Sequence, residues 1–351
     1  MSHIKKLEIN NFRCFEKFEI GDFKAINLFV GKSNSGKSCL LESLFSAGDA
    51  NPLIPAILNN VRGLEHSSDN LKYIFHKFNL DKSPSFKFQF NDKSNNELKI
   101  SPKYTTAIAN ENTITSISSA TSKNIIGIDL TLKVTSPLSS AKTYEASYIF
   151  DKVEQKTFLS SYQSKINTYF IPTNSIDKST LSSYSKLIKK RKEGIVLELL
   201  QKIEPKILEI HALPDGLFFR YDAINELVPI QILGNGIQRV VNIITQIANE
   251  TNDIVLIDEI ETGLHFSAHT ALWKGIFSLC KKLNTQLFIT THSIETLKSL
   301  KEVLELNEYQ EMQDNIAVFN LVDTQKQGLK SYCYSFDGIK EAIELNQEMR
   351  Y

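Results

Sequence analysis

The sequence predicts an α/β fold with an antiparallel β lobe and an inserted helical lobe, and three observations support this class. First, the apolar run from Ala25 to Val30 leads into a glycine-rich loop and then into a helical pattern. Second, residues 85–150 contain short strand patterns joined by links too short for crossover helices, which favours antiparallel pairing. Third, strand and helix patterns alternate from Leu227 onward, as they do in parallel sheets covered by helices.

The composition indicates a globular protein with enough apolar residues for a large core. Its 351 residues are 42% hydrophobic, and 40 basic residues balance 40 acidic ones, so no global positive field favours non-specific nucleic-acid binding. The four cysteines are scattered without a C-x-x-C pair, which argues against a zinc site or a disulfide framework and favours a reducing cytoplasm. No apolar stretch approaches the roughly 20 residues that span a bilayer, so we expect no membrane insertion.

The N-terminal segment has the pattern of a β-rich lobe. Mixed apolar and polar residues predict strands from Ile4 to Asn10 and from Phe15 to Ile20. The glycine-rich loop then opens a helix, because the apolar residues between Cys39 and Phe45 fall on one helical face. Residues 50–80 show no clean period, and their prolines, Pro55 among them, are expected to break regular structure.

The middle of the chain predicts a β-rich insertion. A Ser/Thr/Asn-rich stretch from Thr105 to Asn124 predicts a long solvated loop or hairpin, for which a variable surface excursion is the simplest reading. The strand patterns of this region run from Ser85 to Phe90, from Glu97 to Ile100, from Ile125 to Val134 and from Tyr144 to Phe150.

A helical lobe is predicted next, from Ser182 to His211, with Gly194 and Pro205 dividing it into shorter helices. It carries the densest basic run of the chain, between Lys186 and Lys192. That run could contact phosphate backbones, although a solvated helix face is the commoner reason for such charge.

The C-terminal part alternates between strand and helix. The pattern predicts a short strand to Ile232, a glycine turn, a helix to about Asn249, a buried strand, a helix around Trp273 and a strand ending at Thr291. The predicted segments are an N-terminal β lobe with the glycine-rich loop and first helix over 1–48, a β-rich insertion completing that lobe over 49–170, a helical lobe over 171–226 and a C-terminal α/β lobe over 227–351.

Residues Gly31 to Ser38 form a complete G-x-x-x-x-G-K-S phosphate-binding loop. Its glycines let backbone N–H groups turn toward a β-phosphate, Lys37 supplies a mobile positive charge, and the Ser38 hydroxyl coordinates Mg²⁺. The dipole of the following helix also favours phosphate. The sequence therefore predicts a nucleoside triphosphate site. The further nucleotide contacts predicted in the loop are Asn34, Ser35 and Gly36.

An apolar strand from Asp253 to Ile257 ends in two carboxylates, Asp258 and Glu259, which is the form of a Walker B element. Asp258 would hold the Mg²⁺ shell opposite Ser38, and Glu259 would orient or deprotonate the water that attacks the γ-phosphate. Apolar runs that end in an acid are common, so this interpretation depends on the phosphate loop.

Two more polar turns flank the Walker B strand. His292 follows a strand pattern that ends at Thr291, and ligands of parallel sheets bind at such carboxyl ends, so His292 is expected to reach the γ-phosphate. The turn from Gly234 to Gly236 directly precedes a helix, whose N–H groups could meet a phosphate. Alone, each would more often be a structural histidine or an ordinary connector; their positions around Walker B favour function.

These motifs occur in the order seen in ABC-type ATPases, and they most resemble the branch that holds the overcoming-lysogenization-defect (OLD) and RecF-like proteins. The resemblance extends from Ile4 to about Ser293, with residues 50–170 matching only in general layout. Arg13 matches the arginine of that branch that approaches the nucleotide, while no Q-loop glutamine can be placed. The motifs that carry the resemblance are Ile9 to Phe15, Gly31 to Ser38, Leu233 to Gly236, Asp258 to His265 and Thr290 to Ser293.

The resemblance implies that two heads pair head to tail around ATP, with the glycine turn of one subunit completing the phosphate site of the other. Gly234 stands where transporters carry a signature serine, so Asn235 or backbone N–H groups would have to replace that hydroxyl. A homodimer or higher oligomer is therefore expected. The predicted catalytic residues are Lys37, Glu259 and His292, and the predicted trans contacts to the nucleotide are Gly234, Asn235 and Gly236.

Features that the sequence lacks narrow the expected activity. Many OLD-family proteins carry a C-terminal TOPRIM nuclease with a D-x-D metal pair, but this sequence has no D-x-D and few residues after Ser293. An effector, for example a TOPRIM-type nuclease, would then be a separate protein. No guanine-reading N-K-x-D or T-K-x-D motif occurs, which favours ATP over GTP. The absence of heptads and of C-x-x-C argues against a chromosome-tethering protein with a zinc hook.

Three functions are compatible with these observations. The leading hypothesis is a cytoplasmic Mg²⁺-dependent ATPase that acts as sensor or motor of a bacterial antiphage-defence or DNA-repair system with a separately encoded effector. The second is a nucleotide-dependent scaffold with negligible turnover. The third is a repair clamp that binds DNA ends directly through Lys189, Lys190 and Arg191.

Overall fold

A computed structural model describes residues 3–47, 50–65, 67–104, 125–150, 155–158, 161–164, 166–173, 179–324 and 328–344. The loop predicted for residues 105–124 lies outside them. The chain divides into two compact units. The parallel-sheet unit comprises Met1–Lys5, Ile20–Phe45 and Ile166–Tyr351, and the antiparallel-sheet unit comprises Lys6–Glu19 and Ser46–Lys165.

The described residues form strands and helices throughout both units. The strands are β1 (Ile4–Phe12), β2 (Phe15–Gly21), β3 (Ile26–Val30), β4 (Ser85–Phe90), β5 (Asn95–Tyr104), β6 (Ile125–Ser136), β7 (Ser139–Phe150), β8 (Gln155–Phe158), β9 (Thr168–Ile171), β10 (Ile207–Leu213), β11 (Gly216–Tyr221), β12 (Val228–Pro229), β13 (Ile254–Ile257), β14 (Gln286–Thr290), β15 (Ile316–Thr324) and β16 (Gly328–Tyr334). The helices are α1 (Lys37–Phe45), α2 (Ile54–Val61), α3 (Ser179–Lys189), α4 (Gly194–Gln201), α5 (Asn235–Ala248), α6 (Phe266–Lys282), α7 (Ile294–Leu304) and α8 (Phe336–Glu344).

A six-stranded sheet organises the parallel-sheet unit, with the strand order β16-β15-β3-β14-β13-β9. The five strands from β15 to β9 pair in parallel, and only the edge strand β16 is antiparallel. All residues of β3, β13 and β14 are buried, as expected for a parallel sheet covered on both faces. Because parallel strands end at the same edge, the loops after β3, β13 and β14 meet there.

The two faces of this sheet are covered differently. Alternate residues of β3, such as Leu28, belong to an apolar core that includes residues of α5, α6 and α7. On the other face, Phe23 packs edge-on against Phe288 and Phe319, with ring centroids 5.0 Å and 5.5 Å apart. The strand that precedes the phosphate loop is therefore fixed from both sides.

The antiparallel-sheet unit contains a seven-stranded sheet in the order β2-β1-β4-β5-β6-β7-β8. The predicted antiparallel pairing is confirmed from β4 through β7, and β8 extends it as an unpredicted strand. The proline interpretation for residues 50–80 is wrong at Pro55, because this residue lies in the first turn of α2. Proline is favoured there, since the first helical N–H groups have no intrahelical partner.

The helix predicted as far as His211 is wrong beyond α4. After α3 and α4, the chain forms β10, which pairs with β11 and β12 in a three-stranded antiparallel sheet, so the region 171–226 is only partly helical. Pro214 and Asp215 form the tight connection between β10 and β11, and Gly216 has a φ of 148°. Proline, aspartate and glycine in succession are a turn signal that the leucine-rich helical pattern obscured.

β9 also has an unexpected partner. Residues Thr168 to Ile171 pair in parallel with Ile254 to Ile257 of β13. The strand that precedes the helical segment is thus part of the parallel sheet, although the sequence pattern placed its first residues in the β-rich insertion. This pairing brings the residues after Ile171 to the edge where β13 ends.

Candidate functional site

The phosphate loop is built on backbone conformations that favour glycine. Gly31 has a φ of 145°, and a Cβ placed on it would lie 2.6 Å from the carbonyl oxygen of Leu321. Gly36 has a φ of 86°, and Asn34, between them, has a φ of 64°. Such positive φ values cost least for glycine and are tolerated by asparagine. The two fixed glycines of the motif therefore have steric reasons to be there.

Lys37 folds its side chain back over the loop. Its Nζ donates hydrogen bonds to the carbonyl oxygens of Gly31, at 2.8 Å, and Lys32, at 2.7 Å. Burial lowers the pKa of Lys37, and the carboxylates of Glu259 and Asp258 act in the opposite direction. The ammonium group is thus held inside the loop, close to acids, where a phosphate would be a stronger partner than a carbonyl.

The Asp258 carboxylate accepts hydrogen bonds from hydroxyl groups on three segments of the chain. Ser38 Oγ donates to its Oδ1 over 3.0 Å, and Thr290 Oγ1 donates to the same oxygen over 2.6 Å. Thr173 Oγ1, just after β9, donates to Oδ2 over 3.3 Å. The structure therefore brings the predicted metal pair Ser38 and Asp258 together. These hard oxygen donors fit Mg²⁺, which is held by one or two protein oxygens and completes its shell with phosphate and water.

Glu259 lies on a strained turn directly after Asp258. Its φ is 51°, a left-handed conformation that non-glycine residues rarely adopt. Its N–H donates to Thr290 Oγ1 over 2.7 Å, and its side chain is 36% exposed. The Glu259 carboxylate accepts the Thr262 hydroxyl over 3.4 Å and remains accessible to solvent, as a base acting on water requires.

Arg239 of α5 supports the turn after the Walker B strand through hydrogen bonds to carbonyl oxygens, a role that the sequence did not reveal. Its guanidinium donates to the carbonyl oxygens of Pro172 over 3.0 Å, Glu259 over 3.1 Å and Thr173 over 3.5 Å, and also to that of Asp258. Burial lowers the pKa of Arg239, and the Asp258 carboxylate opposes this effect. One buried cation therefore ties the ends of β9 and β13 to the N-terminal half of α5.

His292 follows β14 and faces two glutamates. Its backbone N–H donates to Glu261 Oε1 over 2.8 Å, and its ring Nδ1 lies 3.0 Å from the same oxygen. Glu259 Oε1 is farther from Nδ1, at 3.8 Å. The ring is 52% exposed. The structure thus places His292 beside the Walker B acids as predicted, and adds Glu261, which carried no separate signal in the sequence.

The two glycines of the turn differ in whether a side chain would fit: a Cβ would be accommodated at Gly234 but not at Gly236. Gly234 caps α5 without a side-chain hydrogen bond, and a Cβ on it would meet nothing within 4 Å. A Cβ on Gly236 would lie 2.3 Å from the carbonyl oxygen of Gly263. Gly236 therefore allows α5 to contact the turn after Walker B within one chain, whereas Asn235 opens the helix. The contacts of all three residues to a nucleotide remain predictions.

Arg13 lies in the antiparallel-sheet unit and has a left-handed φ of 47°. Its guanidinium donates to Leu58 O over 3.2 Å, to Asn59 Oδ1 over 3.4 Å and to Tyr73 O over 3.5 Å. These bonds tie α2 and the following 3₁₀ turn to the loop after β1. Its approach to the nucleotide remains a prediction.

The basic run from Lys186 to Lys192, which begins on α3 and continues beyond its end at Lys189, is partly paired with acid. Lys190 Nζ lies 3.4 Å from Glu250 Oε2, and Lys192 also forms an ion pair with Glu250. The hydrogen bond from Lys192 is the main reason why the pKa of Glu250 is lowered. Both lysines therefore have a partner within the chain, which reduces the positive field available to a DNA backbone.

Comparison with known proteins agrees with this geometry. Residues 3–51 and 61–296 match the family model described as AAA ATPase domain, a span that contains the phosphate loop, Walker B and His292. A curated relative, an ATP/GTP phosphatase of Helicobacter pylori (strain ATCC 700392 / 26695), is 24% identical over 337 residues, which covers 87% of this chain and 90% of the relative.

Two solved structures show the same fold. One is an SmcHead bound to the C-winged helix domain of ScpA, with 13% identity, a TM-score of 0.50 and coverage of 97% of this chain and 99% of that one. The other is a Pyrococcus furiosus Smc head domain with an extended coiled coil, bound to the C-terminal domain of ScpA, with 10% identity, a TM-score of 0.50 and coverage of 99% and 100%. The predicted ABC-type ATPase head fold is confirmed. Among the described residues, no helix has the length and apolar character needed to span a membrane.

Proposed function

Since this chain belongs to the AAA ATPase domain family, we propose that it is a Mg²⁺-dependent ATP hydrolase whose heads pair around ATP. The observation that carries this proposal is the contact between the two phosphate-site motifs, in which Ser38 Oγ donates to Asp258 Oδ1 over 3.0 Å. The two residues belong to distant parts of the sequence, and both motifs are needed for phosphoryl transfer.

The residues divide the binding of ATP between them. The backbone N–H groups of the loop and the Lys37 ammonium would hold the phosphates. Ser38 and Asp258 would hold Mg²⁺, and Thr290 keeps Asp258 oriented through its 2.6 Å hydrogen bond. When bound, Mg²⁺ neutralises the charge that develops on the phosphate oxygens.

Hydrolysis needs a group that accepts a proton from water, and Glu259 is the best placed of the acids. It is more exposed than Glu261, by 36% to 10%, and its backbone is fixed by Thr290 and Arg239. Glu259 Oε would take the proton as water attacks the γ-phosphate. His292, next to both glutamates, would donate a hydrogen bond to the γ-phosphate.

Pairing of heads is supported by the surface around the glycine turn. Ile232, two residues before Gly234, is 74% exposed, and Phe266, three residues after Gly263, is 64% exposed. Exposed apolar side chains of this size often mark interaction surfaces. A second copy of the chain that brings its own glycine turn to the phosphate loop would cover them.

The pairing is tested with Glu259→Gln, which should bind ATP without cleaving it. Light scattering of the purified variant should show a shift from monomer to dimer when ATP and Mg²⁺ are added. The matched control adds Lys37→Ala, which removes the phosphate contact and should prevent the shift. A monomer that persists at saturating ATP, with binding verified by filtration, would count against the paired heads.

The cellular role is proposed from the resemblance to OLD and RecF-like proteins. In this proposal the ATPase is the sensor or motor of an antiphage-defence or DNA-repair system, and a separate effector acts on the target. The solved relatives bound to ScpA domains support the idea that this head fold receives a partner protein. Affinity purification of the Glu259→Gln variant with ATP, compared with the Lys37→Ala variant, should enrich such an effector, and recovery of the same proteins with both would contradict it.

A further inference from the structure

Glu261 makes two contacts with one residue, His292. It follows β13 on the turn that carries Asp258 and Glu259, and its side chain is only 10% exposed. The same carboxylate oxygen, Oε1, accepts the His292 backbone N–H over 2.8 Å and lies 3.0 Å from His292 Nδ1. Both the backbone position and the ring orientation of His292 therefore depend on one carboxylate.

Glu259 is a weaker partner for the same ring nitrogen. Its Oε1 lies 3.8 Å from Nδ1, beyond hydrogen-bond distance, and its side chain is the more exposed of the two. Electrostatic attraction grows as the distance and the surrounding dielectric constant fall, so Glu261 dominates the environment of Nδ1. Glu259 is correspondingly left to interact with water.

The Glu261 carboxylate also interacts electrostatically with two basic side chains of the site. Its field acts on Lys37 and on Arg239, opposing in each case the effect of burial on the pKa. A carboxylate oxygen accepts hydrogen bonds, so its position 3.0 Å from Nδ1 of His292 favours a proton on that nitrogen.

We propose that Glu261 is the positioning residue for His292, which it fixes in the Nδ1–H form with Nε2 as the nitrogen available to the γ-phosphate. This inference rests on the proposed role of His292 in ATP hydrolysis. The neutral ring then presents a lone pair at Nε2, and only the protonated ring presents an N–H there. A hydrogen bond from Nε2 to an anionic phosphate therefore needs the doubly protonated ring, whose charge would lie 3.0 Å from the Glu261 carboxylate. Glu261 contacts His292 and acts through it.

The tautomer can be measured without any turnover of ATP. Histidine-specific ¹⁵N labelling of the full chain gives signals for its seven histidines, and the His292→Gln variant identifies the His292 signal by its absence. At about pH 8, where histidine is mostly neutral, wild type should show a protonated Nδ1 and an unprotonated Nε2. In Glu261→Ala the His292 ring should lose this preference, whereas Glu261→Gln, whose amide oxygen can still accept, should retain it.

Steady-state kinetics supply the second measurement. Glu261→Ala should lower kcat by about 10- to 100-fold, the usual effect of removing a group that orients a functional histidine, with a smaller change in KM. The control Glu302→Gln removes an exposed carboxylate of α7 and should leave both values unchanged. The single tryptophan, Trp273, reports whether each variant is folded.

The two measurements separate the possible failures. A wild-type His292 with its proton on Nε2, or an unchanged tautomer in Glu261→Ala, would overturn the positioning role whether or not the protein hydrolyses ATP. If Glu261→Ala alters the His292 tautomer but the wild-type protein shows no turnover of ATP, the proposed hydrolase function fails and the Glu261 contact stands. A fall in kcat that Glu261→Gln rescues supports the whole inference.

Discussion

Replacing Arg239 with methionine should destabilise the parallel-sheet unit and displace the Walker B turn. Arg239 is 9% exposed, and its guanidinium donates to the carbonyl oxygens of Pro172, Thr173, Asp258 and Glu259. Methionine fills much of the volume of the arginine stem, so the change removes mainly the donors. The Glu259 carbonyl would keep its bond from the Thr262 N–H over 3.0 Å, whereas the other three would lose the donors that the guanidinium supplies.

The size of the effect follows from these contacts. A hydrogen bond to a charged group is worth about 1.5–3 kcal/mol, and a buried acceptor left unsatisfied costs about 1–3 kcal/mol. The four bonds share one cation and are not additive. Burial of Arg239 itself opposes the charged form, as its lowered pKa indicates, so methionine recovers part of this cost. We expect a net loss of about 3–5 kcal/mol in the free energy of unfolding, similar to the cost of breaking a buried charge pair.

Urea unfolding followed by the fluorescence of Trp273 measures this loss in the parallel-sheet unit, to which Arg239 belongs. Trp273 is buried in α6, and its indole N–H donates to Thr296 O over 3.2 Å, so its emission reports the packing of the parallel-sheet unit. With a slope of about 2 kcal/mol per M, the midpoint should fall by roughly 2 M. The control Arg220→Met removes a guanidinium from an exposed ion pair with Glu209 and should shift the midpoint little. A loss below about 1 kcal/mol for Arg239→Met would refute the reasoning.

Three other changes test separate parts of the site. Gly31→Ala should cost about 1–3 kcal/mol and abolish nucleotide binding in a titration with a fluorescent ATP analogue, because its Cβ would lie 2.6 Å from Leu321 O. Gly236→Ala should lower the thermal midpoint of unfolding, because its Cβ would lie 2.3 Å from Gly263 O, whereas Gly234→Ala should not; equal midpoints would contradict the packing role. Thr290→Val should raise the Mg²⁺ concentration needed for half-maximal ATP hydrolysis by about 10- to 100-fold. The change removes the 2.6 Å hydrogen bond that orients Asp258. An unchanged Mg²⁺ titration would show that Asp258 needs no such support.

The catalytic motifs could be predicted because each is a short pattern with a local physical cause. The phosphate loop needs glycine at fixed places, and Gly31 indeed has a backbone conformation and a neighbour that exclude a Cβ. The Walker B strand is fully buried and ends in acid, so its pattern appears over a few residues. Strand order was not predicted, yet the Walker B pattern together with the phosphate loop paired Asp258 with Ser38, and the structure joins these two residues by a hydrogen bond.

The supporting residues could not be predicted, because their roles come from contacts between distant segments. Thr290 is one of two adjacent threonines at the end of β14, and only the structure shows that its hydroxyl bridges Asp258 and the Glu259 N–H. Thr173 contacts Asp258 only because β9 pairs with β13, and the sequence placed the start of β9 in another lobe. Arg239 resembles any charged residue near the start of a helix until its burial is known.

Three carboxylates within four residues can have three different tasks because the chain turns sharply between them. Glu259 has a left-handed conformation and its carboxylate accepts the Thr262 hydroxyl, whereas Asp258 accepts the hydroxyls of Ser38 and Thr290. Glu261, after the turn, faces His292. Left-handed backbone at a non-glycine residue costs about 1–2 kcal/mol, so the surrounding fold must stabilise it. Two hydrogen bonds do so at Glu259: its N–H donates to Thr290, and its carbonyl oxygen accepts from Arg239. The helix that follows the glycine turn thus supports the acids of its own chain, because its arginine binds the carbonyl oxygens of Asp258 and Glu259.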